Sequence, residues 1–158
     1  MEAQMPPAQL KQWFDSAEFE QKYHTDAPLG VWMDGKTTRF ALWAPTASEV
    51  TLNLYPDGGK SAALRRVVMK KGERGLWLHD EGTRLDGTYY DYDVTVDGST
   101  QRTQDPYAKA CGVNGLRAMV VNLADTDPLG WAQDKAPAKP AARKPAPAKK
   151  AAPKRGKR

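Results

Sequence analysis

The chain has 158 residues, of which 24 are Lys or Arg, 19 are Asp or Glu and one is Cys. This length allows one ordinary domain with a hydrophobic core and excludes a large two-domain enzyme. No apolar run approaches the roughly 18 residues that a membrane-spanning helix needs, and residues 1–10 lack the pattern of a secretory signal. A single cysteine, Cys111, cannot form an internal disulfide, so the expected compartment is the cytoplasm.

The net charge of +5 is an average over two parts of opposite sign. Residues 132–158 hold 10 of the 24 basic side chains and one of the 19 acidic ones. The remaining 14 basic and 18 acidic side chains give residues 1–131 a net charge of −4. The basic balance of the whole chain is therefore no evidence for a nucleic-acid-binding fold.

Residues 1–28 are predicted to be a lead-in segment that contains a short helix over residues 9–23. Asp15 followed three residues later by Glu18 has the form of a capping box. Phe19 and Tyr23 come directly after it at i and i+4, on one face of a helix. We expect a short amphipathic helix that packs on the body, with Trp13 preceding it as an apolar edge.

Residues 29–131 have the texture of an all-β sandwich, with short strands separated by turn residues at intervals of about 8–12 positions. The predicted strands cover residues 38–43, 50–55, 63–69, 76–80, 88–96, 100–104 and 119–123. The clearest places Tyr90 and Tyr92 on one face and Asp91 and Asp93 on the other, which we expect to be solvated. Seven strands with no helices between them exclude a parallel α/β sheet and favour an immunoglobulin-like (E-set) sandwich.

Residues 132–158 consist almost entirely of Ala, Lys, Arg and Pro, which predicts a disordered tail. Three interpretations stay open: a solvated tail, an electrostatic arm for nucleic acid or another polyanion, or the product of a truncated or shifted reading frame. The candidate polyanion-binding residues are Lys149, Lys150, Lys154 and Arg155.

The sequence carries none of the common catalytic or metal-binding motifs. It lacks G-x-S-x-G, a Walker loop and H-E-x-x-H. His24 and His79 are far apart, and Cys111 has no partner at ligand spacing. Asp91 and Asp93 share a strand face, but a glycosidase pair needs one raised pKa and a cleft between the carboxyl groups. No catalytic residue, metal or cofactor is therefore predicted.

Aromatic rings are the other candidates for a binding role, because the C–H face of a pyranose packs on a ring. Most of the five Trp and six Tyr are expected in the core. Trp32, Tyr55 and Tyr89 are the rings that we expect to be exposed, and they are the candidate carbohydrate-binding residues.

Six stretches of sequence together point to a known family. They are LGV at 29–31, TTRFALWAPTA at 37–47, VTLNLY at 50–55, KGERGLW at 71–77, GTYYDY at 87–92 and DPYAKA at 105–110. The chain resembles the N-terminal β-sandwich of type I pullulanases, which is called carbohydrate-binding module family 48 and occurs in glycoside hydrolase family 13. The resemblance covers roughly residues 14–134.

The resemblance implies a non-catalytic accessory module, alone or as part of a truncated chain. In the family, two Asp and one Glu on a (β/α)8 barrel that follows this module hydrolyse α-1,6 branch points, and no residue here matches those positions. The implied partners are an α-glucan (glycogen, pullulan or starch), bound weakly, and a separate catalytic chain. Nucleic acid would be a partner only through the tail, and no membrane partner is expected.

The resemblance also implies which residues face the barrel. Asp105, Pro106, Tyr107 and Ala108 are expected to form part of the docking face. Glycogen-binding relatives carry a Trp just after the turn at 96–98, where this chain has Ser99 and Thr100. The module is therefore expected either to bind α-glucan weakly or to act as a packing partner for the barrel.

Overall fold

The computed structural model describes residues 7–135, with side chains from residue 9 onwards. The N-terminal segment forms two short helices, α1 (Pro7–Phe14) and α2 (Ala17–Tyr23), rather than one. Most of the predicted tail, including all four polyanion candidates, lies outside the described residues.

The N-cap of α2 is Ser16, so the predicted capping box at Asp15 and Glu18 is wrong by one position. The Ser16 hydroxyl oxygen accepts a hydrogen bond from the Phe19 N–H at 3.1 Å, while Ser16 keeps an extended backbone. Serine is as good an N-cap as aspartate, and here its side chain reaches the third residue of the helix. Glu18 lies in the first turn, where a negative charge is favourable, but does not complete a box.

The rest of the described chain contains two antiparallel sheets, as predicted. The strands are β1 (Gly30–Asp34), β2 (Thr37–Trp43), β3 (Glu49–Tyr55), β4 (Arg65–Val68), β5 (Lys70–Lys71), β6 (Leu76–Glu81), β7 (Tyr89–Val96), β8 (Ser99–Thr103) and β9 (Ala118–Met119). The first sheet has the order β1-β2-β6-β5 and the second β4-β3-β7-β8, with β9 also paired to β7. The predicted immunoglobulin-like sandwich is confirmed, with β1 and β5 as additional short strands.

The hairpin between β7 and β8 follows from its two turn residues. Val96 pairs with Ser99, which leaves Asp97 and Gly98 as a two-residue loop. Their φ angles are 49° and 76°, the left-handed values that a type I′ turn requires and that Asp-Gly accommodates. The turn fixes the register of β8 against β7, which places alternate β8 side chains on opposite faces.

The core lies between the sheets and is built from the inward positions of each strand. Tyr90 and Tyr92 are fully buried in it, and Phe40 meets Tyr90 edge to face with ring centroids 5.3 Å apart. The other large members are Val31, Leu42, Val50, Leu52, Leu54, Met69, Trp77 and Val120. The predicted apolar face of residues 88–96 is therefore confirmed.

The sandwich and the N-terminal helices form one compact unit that ends at Thr126. Residues 127–135 belong to a second unit, in which Trp131–Gln133 form a 3-10 turn and Leu129 and Trp131 are exposed. Within residues 7–135 no helix is long and apolar enough to cross a membrane.

Candidate functional site

The three rings predicted from the sequence lie in different environments. Trp32 is half-buried on β1, opposite Arg39 of β2. Tyr89 is half-buried at the start of β7, close beneath Gly58, where a Cβ atom would lie 2.7 Å from the ring. Tyr55 has only 2% of its surface exposed. The expectation that the Tyr55 ring is exposed is wrong, whereas the binding roles of Trp32 and Tyr89 stay predictions.

Tyr55 is buried because Arg117 covers it. The guanidinium carbon of Arg117 lies 3.4 Å from the centroid of the Tyr55 ring, a close cation–π contact. The same guanidinium donates hydrogen bonds to the backbone oxygens of Asp57 at 2.9 Å and Ser61 at 2.6 Å. Arg117 thus holds the loop after β3 over the ring, and no face of Tyr55 is available for a sugar.

The face of β7 opposite the core is also closed, which corrects a second expectation. Asp91 is 2% and Asp93 8% exposed, so this face is not solvated. Asp93 accepts hydrogen bonds from Arg102 of β8 at 2.9 Å and from Arg66 of β4 at 2.6 Å. Arg102 of the neighbouring strand β8 and Arg66 of β4, which lies beyond β3, cover the carboxylates, and the alternation within β7 does not predict this cover.

Asp91 forms the centre of this polar cluster. Its Oδ1 atom accepts from the Asn53 side-chain amide at 2.8 Å and from the Tyr55 hydroxyl at 3.0 Å. Burial, followed by the hydrogen bond to Asp91, raises the pKa of Tyr55 above its ordinary value. Both carboxylates are consumed by structural contacts, which leaves neither free to act as a catalytic acid or base.

We predict that Asp93 makes folding stability depend on pH in the acid range. The hydrogen bonds from Arg102 outweigh burial and hold the pKa of Asp93 below its ordinary value of 3.8. Its contribution to stability is therefore present above that value and is lost as the pH falls through the lower folded-state pKa. We expect Asp93→Asn to cost about 1 kcal/mol at neutral pH, with the cost shrinking below pH ~4. Urea unfolding of both proteins from pH 7 to pH 2 measures this, and a cost that is constant over the whole range would contradict the prediction.

The turn at residues 105–108 is fixed to the core by its first residue. Asp105 is 4% exposed and accepts hydrogen bonds from the Tyr90 hydroxyl at 2.7 Å and from the Tyr107 N–H at 2.8 Å. Burial raises the pKa of Asp105. Pro106 and Tyr107, which is 50% exposed, face outwards, while Ala108 packs against the core. Of the four docking candidates, Asp105 therefore positions the turn, and Pro106 and Tyr107 are the ones that a partner could touch.

A cleft of about 410 Å³ opens beside this turn, between β2 of one sheet and β7 and β8 of the other. Its lining is Leu42, Trp43, Ala44, Val94, Val96, Ser99, Gln101, Thr103, Gln104 and Pro106. The first five supply an apolar floor, and the next four supply hydroxyl and amide groups. The cleft can hold an uncharged molecule that has both apolar and hydrogen-bonding surface.

The cleft was not predicted from the sequence, although the residue pattern of β8 indicates part of it. Ser99, Gln101 and Thr103 alternate along β8 and so share the face that turns inward with Val94 and Val96 of β7. Small and polar side chains at inward positions of an edge strand indicate a place where the core stops. Trp43, the last residue of β2, is 38% exposed and is among the residues that line the cleft.

Comparison with known proteins gives the class of the molecule. The sequence profile of Carbohydrate-binding module 48 (Isoamylase N-terminal domain) matches residues 28–108, just over half of the chain. Pullulanase A of Streptococcus pneumoniae serotype 2 is 32% identical over 100 residues, which are 58% of this chain and 8% of that protein. Pullulanase 1, chloroplastic, of Arabidopsis thaliana is 30% identical over 120 residues, which are 71% of this chain and 12% of that protein.

Solved structures agree with this assignment. Pullulanase from Paenibacillus barengoltzii, in complex with maltohexaose and α-cyclodextrin, superposes with a TM-score of 0.72 at 36% identity over 78% of this chain and 19% of that one. Pullulanase from Bacillus acidopullulyticus superposes with a TM-score of 0.68 at 41% identity over 72% of this chain and 14% of that one. The fold and these similarities define a carbohydrate-binding type of β-sandwich module. The chain belongs to the carbohydrate-binding module 48 family.

The family assignment confirms the resemblance drawn from the six sequence stretches. The matched region is a carbohydrate-binding module rather than a catalytic domain. The chain spans 8% of the length of the Streptococcus relative and 12% of the Arabidopsis one, so the similarity concerns a module within much longer proteins.

Proposed function

We propose that the chain is a non-catalytic accessory module of a pullulanase-type enzyme of glycoside hydrolase family 13, and that it binds α-glucan weakly. The observation that carries the proposal is membership of the carbohydrate-binding module 48 family. Structural neighbours in complex with maltohexaose, maltotriose and maltotetraose support an α-(1,4)-linked glucan as the ligand class. The cleft beside the 105–108 turn supports it as well, because its lining suits an uncharged sugar.

We propose further that the turn at residues 105–108 docks on a catalytic (β/α)8 barrel. Pro106 and Tyr107 offer exposed apolar surface on a turn that the buried Asp105 holds in place. A rigid apolar contact of this kind suits a protein partner because little conformational freedom is lost when it docks. The much greater length of the pullulanase relatives supports a barrel as that partner.

Affinity electrophoresis of the full chain tests the glucan part of this proposal. We expect migration in native gels to be retarded by glycogen or pullulan and to be unchanged by dextran at the same concentration. Ring stacking and neutral hydrogen bonds depend little on salt, so the apparent affinity should change less than about twofold between 20 and 150 mM NaCl. Equal migration in all gels would contradict glucan binding.

The same preparation tests the non-catalytic part. We expect no release of reducing sugar from pullulan, because the carboxylates on β7 are hydrogen-bonded within the fold and the cleft lining is neutral. Sustained turnover by the purified chain would contradict an accessory role.

A further inference from the structure

We infer that the cleft between β2 and β8, and not the surface around Trp32 or Tyr89, is the place where this module holds an α-glucan. The inference rests on the proposed function and assigns its site. Four properties of the cleft support it: its neutral lining, the presence of both apolar and polar groups in that lining, a wall that is fixed by hydrogen bonds, and its open side.

The lining selects an uncharged ligand. All ten side chains that surround the cleft are neutral. Arg102, the cation on β8, points to the opposite face of the strand, where it donates to Asp93. A phosphate, a carboxylate or an acidic peptide would lose its hydration in this cleft without gaining a charged partner, which is strongly unfavourable. A polyhydroxylated neutral chain has no such penalty.

The two parts of the lining match the two kinds of surface on a glucosyl residue. Leu42, Val94 and Val96 form the apolar floor, against which the C–H face of a pyranose can pack. Gln101, which pairs with Val94, and Gln104 also line the cleft, and each amide supplies both donors and an acceptor. A side-chain amide suits two adjacent hydroxyl groups of a sugar, because each hydroxyl group both donates and accepts a hydrogen bond.

The wall of the cleft at Trp43, the last residue of β2, is already fixed in place. The Nε1–H group of Trp43 donates to the backbone oxygens of Tyr23 and Arg74, both at 3.1 Å. Phe19 of α2 meets the indole at a steep angle, with ring centroids 6.4 Å apart. These contacts hold the end of β2 that borders the cleft in place, and a preformed wall favours binding.

The open side lets a chain continue beyond the cleft. A volume of about 410 Å³ is at the lower end of the range for ligand pockets, so it suits a short segment of a polymer and not a long one. β8 is the last strand of its sheet, and among the described residues no strand pairs with its outer edge. A glucan can thus enter and leave along this edge without an obstructing strand.

The two rings that remain from the sequence prediction do not offer an equivalent place. Neither Trp32 nor Tyr89 lines the cleft. Trp32 lies on the edge strand β1, and Gly58 lies against the ring of Tyr89. Variants at these positions therefore serve as a direct test between the two locations.

Isothermal titration of the full chain with maltohexaose tests the inference. We expect the double variant Gln101→Ala with Gln104→Ala to bind about tenfold more weakly than the wild type, because two hydrogen-bonding amides are lost. Thr100→Ala is the matched control, since Thr100 is on the same strand but bonds to Thr95 on the outer face. We expect Thr100→Ala, Trp32→Ala and Tyr89→Ala each to change the affinity less than about twofold.

The outcomes separate the inference from the proposed function. Absence of maltohexaose binding by the wild type would contradict both. Wild-type binding that survives the glutamine double variant, or that is lost in Trp32→Ala or Tyr89→Ala, would overturn the cleft as the binding site and leave glucan binding standing. Thermal unfolding of each variant is the folding control. Because Gln101 is exposed, we expect the removal of its side chain to leave the midpoint temperature of unfolding unchanged.

Discussion

Replacing Asp105 by Ala is expected to lower the free energy of unfolding by about 3 kcal/mol. The substitution removes the acceptor for the Tyr90 hydroxyl and for the Tyr107 N–H. Tyr90 is 0% exposed, so its hydroxyl would lose its partner inside the core, where water cannot replace it. Urea unfolding at pH 7, followed by tryptophan fluorescence, measures the loss.

A double-mutant cycle identifies the cause. Tyr90→Phe removes only the hydroxyl, and we expect the two losses to overlap by about 1 kcal/mol or more in the double variant, since both delete the same bond. Strictly additive losses, or a loss below about 0.5 kcal/mol for Asp105→Ala, would contradict the role given to this bond.

The same carboxyl group should act on the pH dependence in the direction opposite to Asp93. Because burial raises the pKa of Asp105, the folded protein binds a proton there more readily than the unfolded chain does. The stabilising effect of protonation is fully present below the ordinary pKa and is lost as the pH rises through the folded-state pKa. Asp105→Asn keeps a hydrogen-bond acceptor and should remove this dependence, which makes it the matched control for Asp105→Ala.

Replacing Arg117 by Ala is expected to cost about 3 kcal/mol of stability and to loosen the loop after β3. The guanidinium stacks on Tyr55 and bonds the backbone oxygens of Asp57 and Ser61, so one substitution removes several buried contacts. Chemical denaturation measures the stability, and amide hydrogen exchange over residues 56–61 measures the loosening. Arg117→Lys should recover less than half of the loss, because an ammonium can neither stack as a plane nor reach both oxygens.

Arg84→Ala is the control for Arg117→Ala, because it also replaces an arginine by alanine but does so at an exposed site. Arg84 forms hydrogen bonds to Asp86 and Asp125 at the surface, where solvent screening leaves ion pairs with little effect on stability. Equal losses for Arg84→Ala and Arg117→Ala would show that the buried stacking on Tyr55 contributes nothing of its own.

The sequence predicted well those features that one strand or one turn determines. Alternation placed Tyr90 and Tyr92 in the core, and the predicted strands 88–96 and 100–104 correspond to the antiparallel pair β7 and β8. Both depend on neighbours within a few residues, where the geometry of the chain leaves little choice.

The features that the sequence did not predict depend on residues far apart in the chain. Tyr55 is covered by Arg117, 62 positions later, and Asp93 by Arg66, 27 positions earlier. Alternation says which side chains share a face, but not whether another element covers that face. The same limit explains why Trp43 and Gln101 were not recognised as members of one cleft, since they come together only through the packing of the two sheets.

The outer edge of β8 has a consequence for how the protein avoids self-association. A free strand edge presents backbone groups on which another chain can extend the sheet. In β8 this edge is only five residues long, and its side chains (Ser99, Thr100, Gln101, Arg102 and Thr103) include no apolar one and carry one positive charge. A second copy approaching this edge would bring its own Arg102 into the same region and would gain no hydrophobic burial. The composition of β8 therefore disfavours the growth of ordered aggregates while it keeps the edge open to a small neutral ligand.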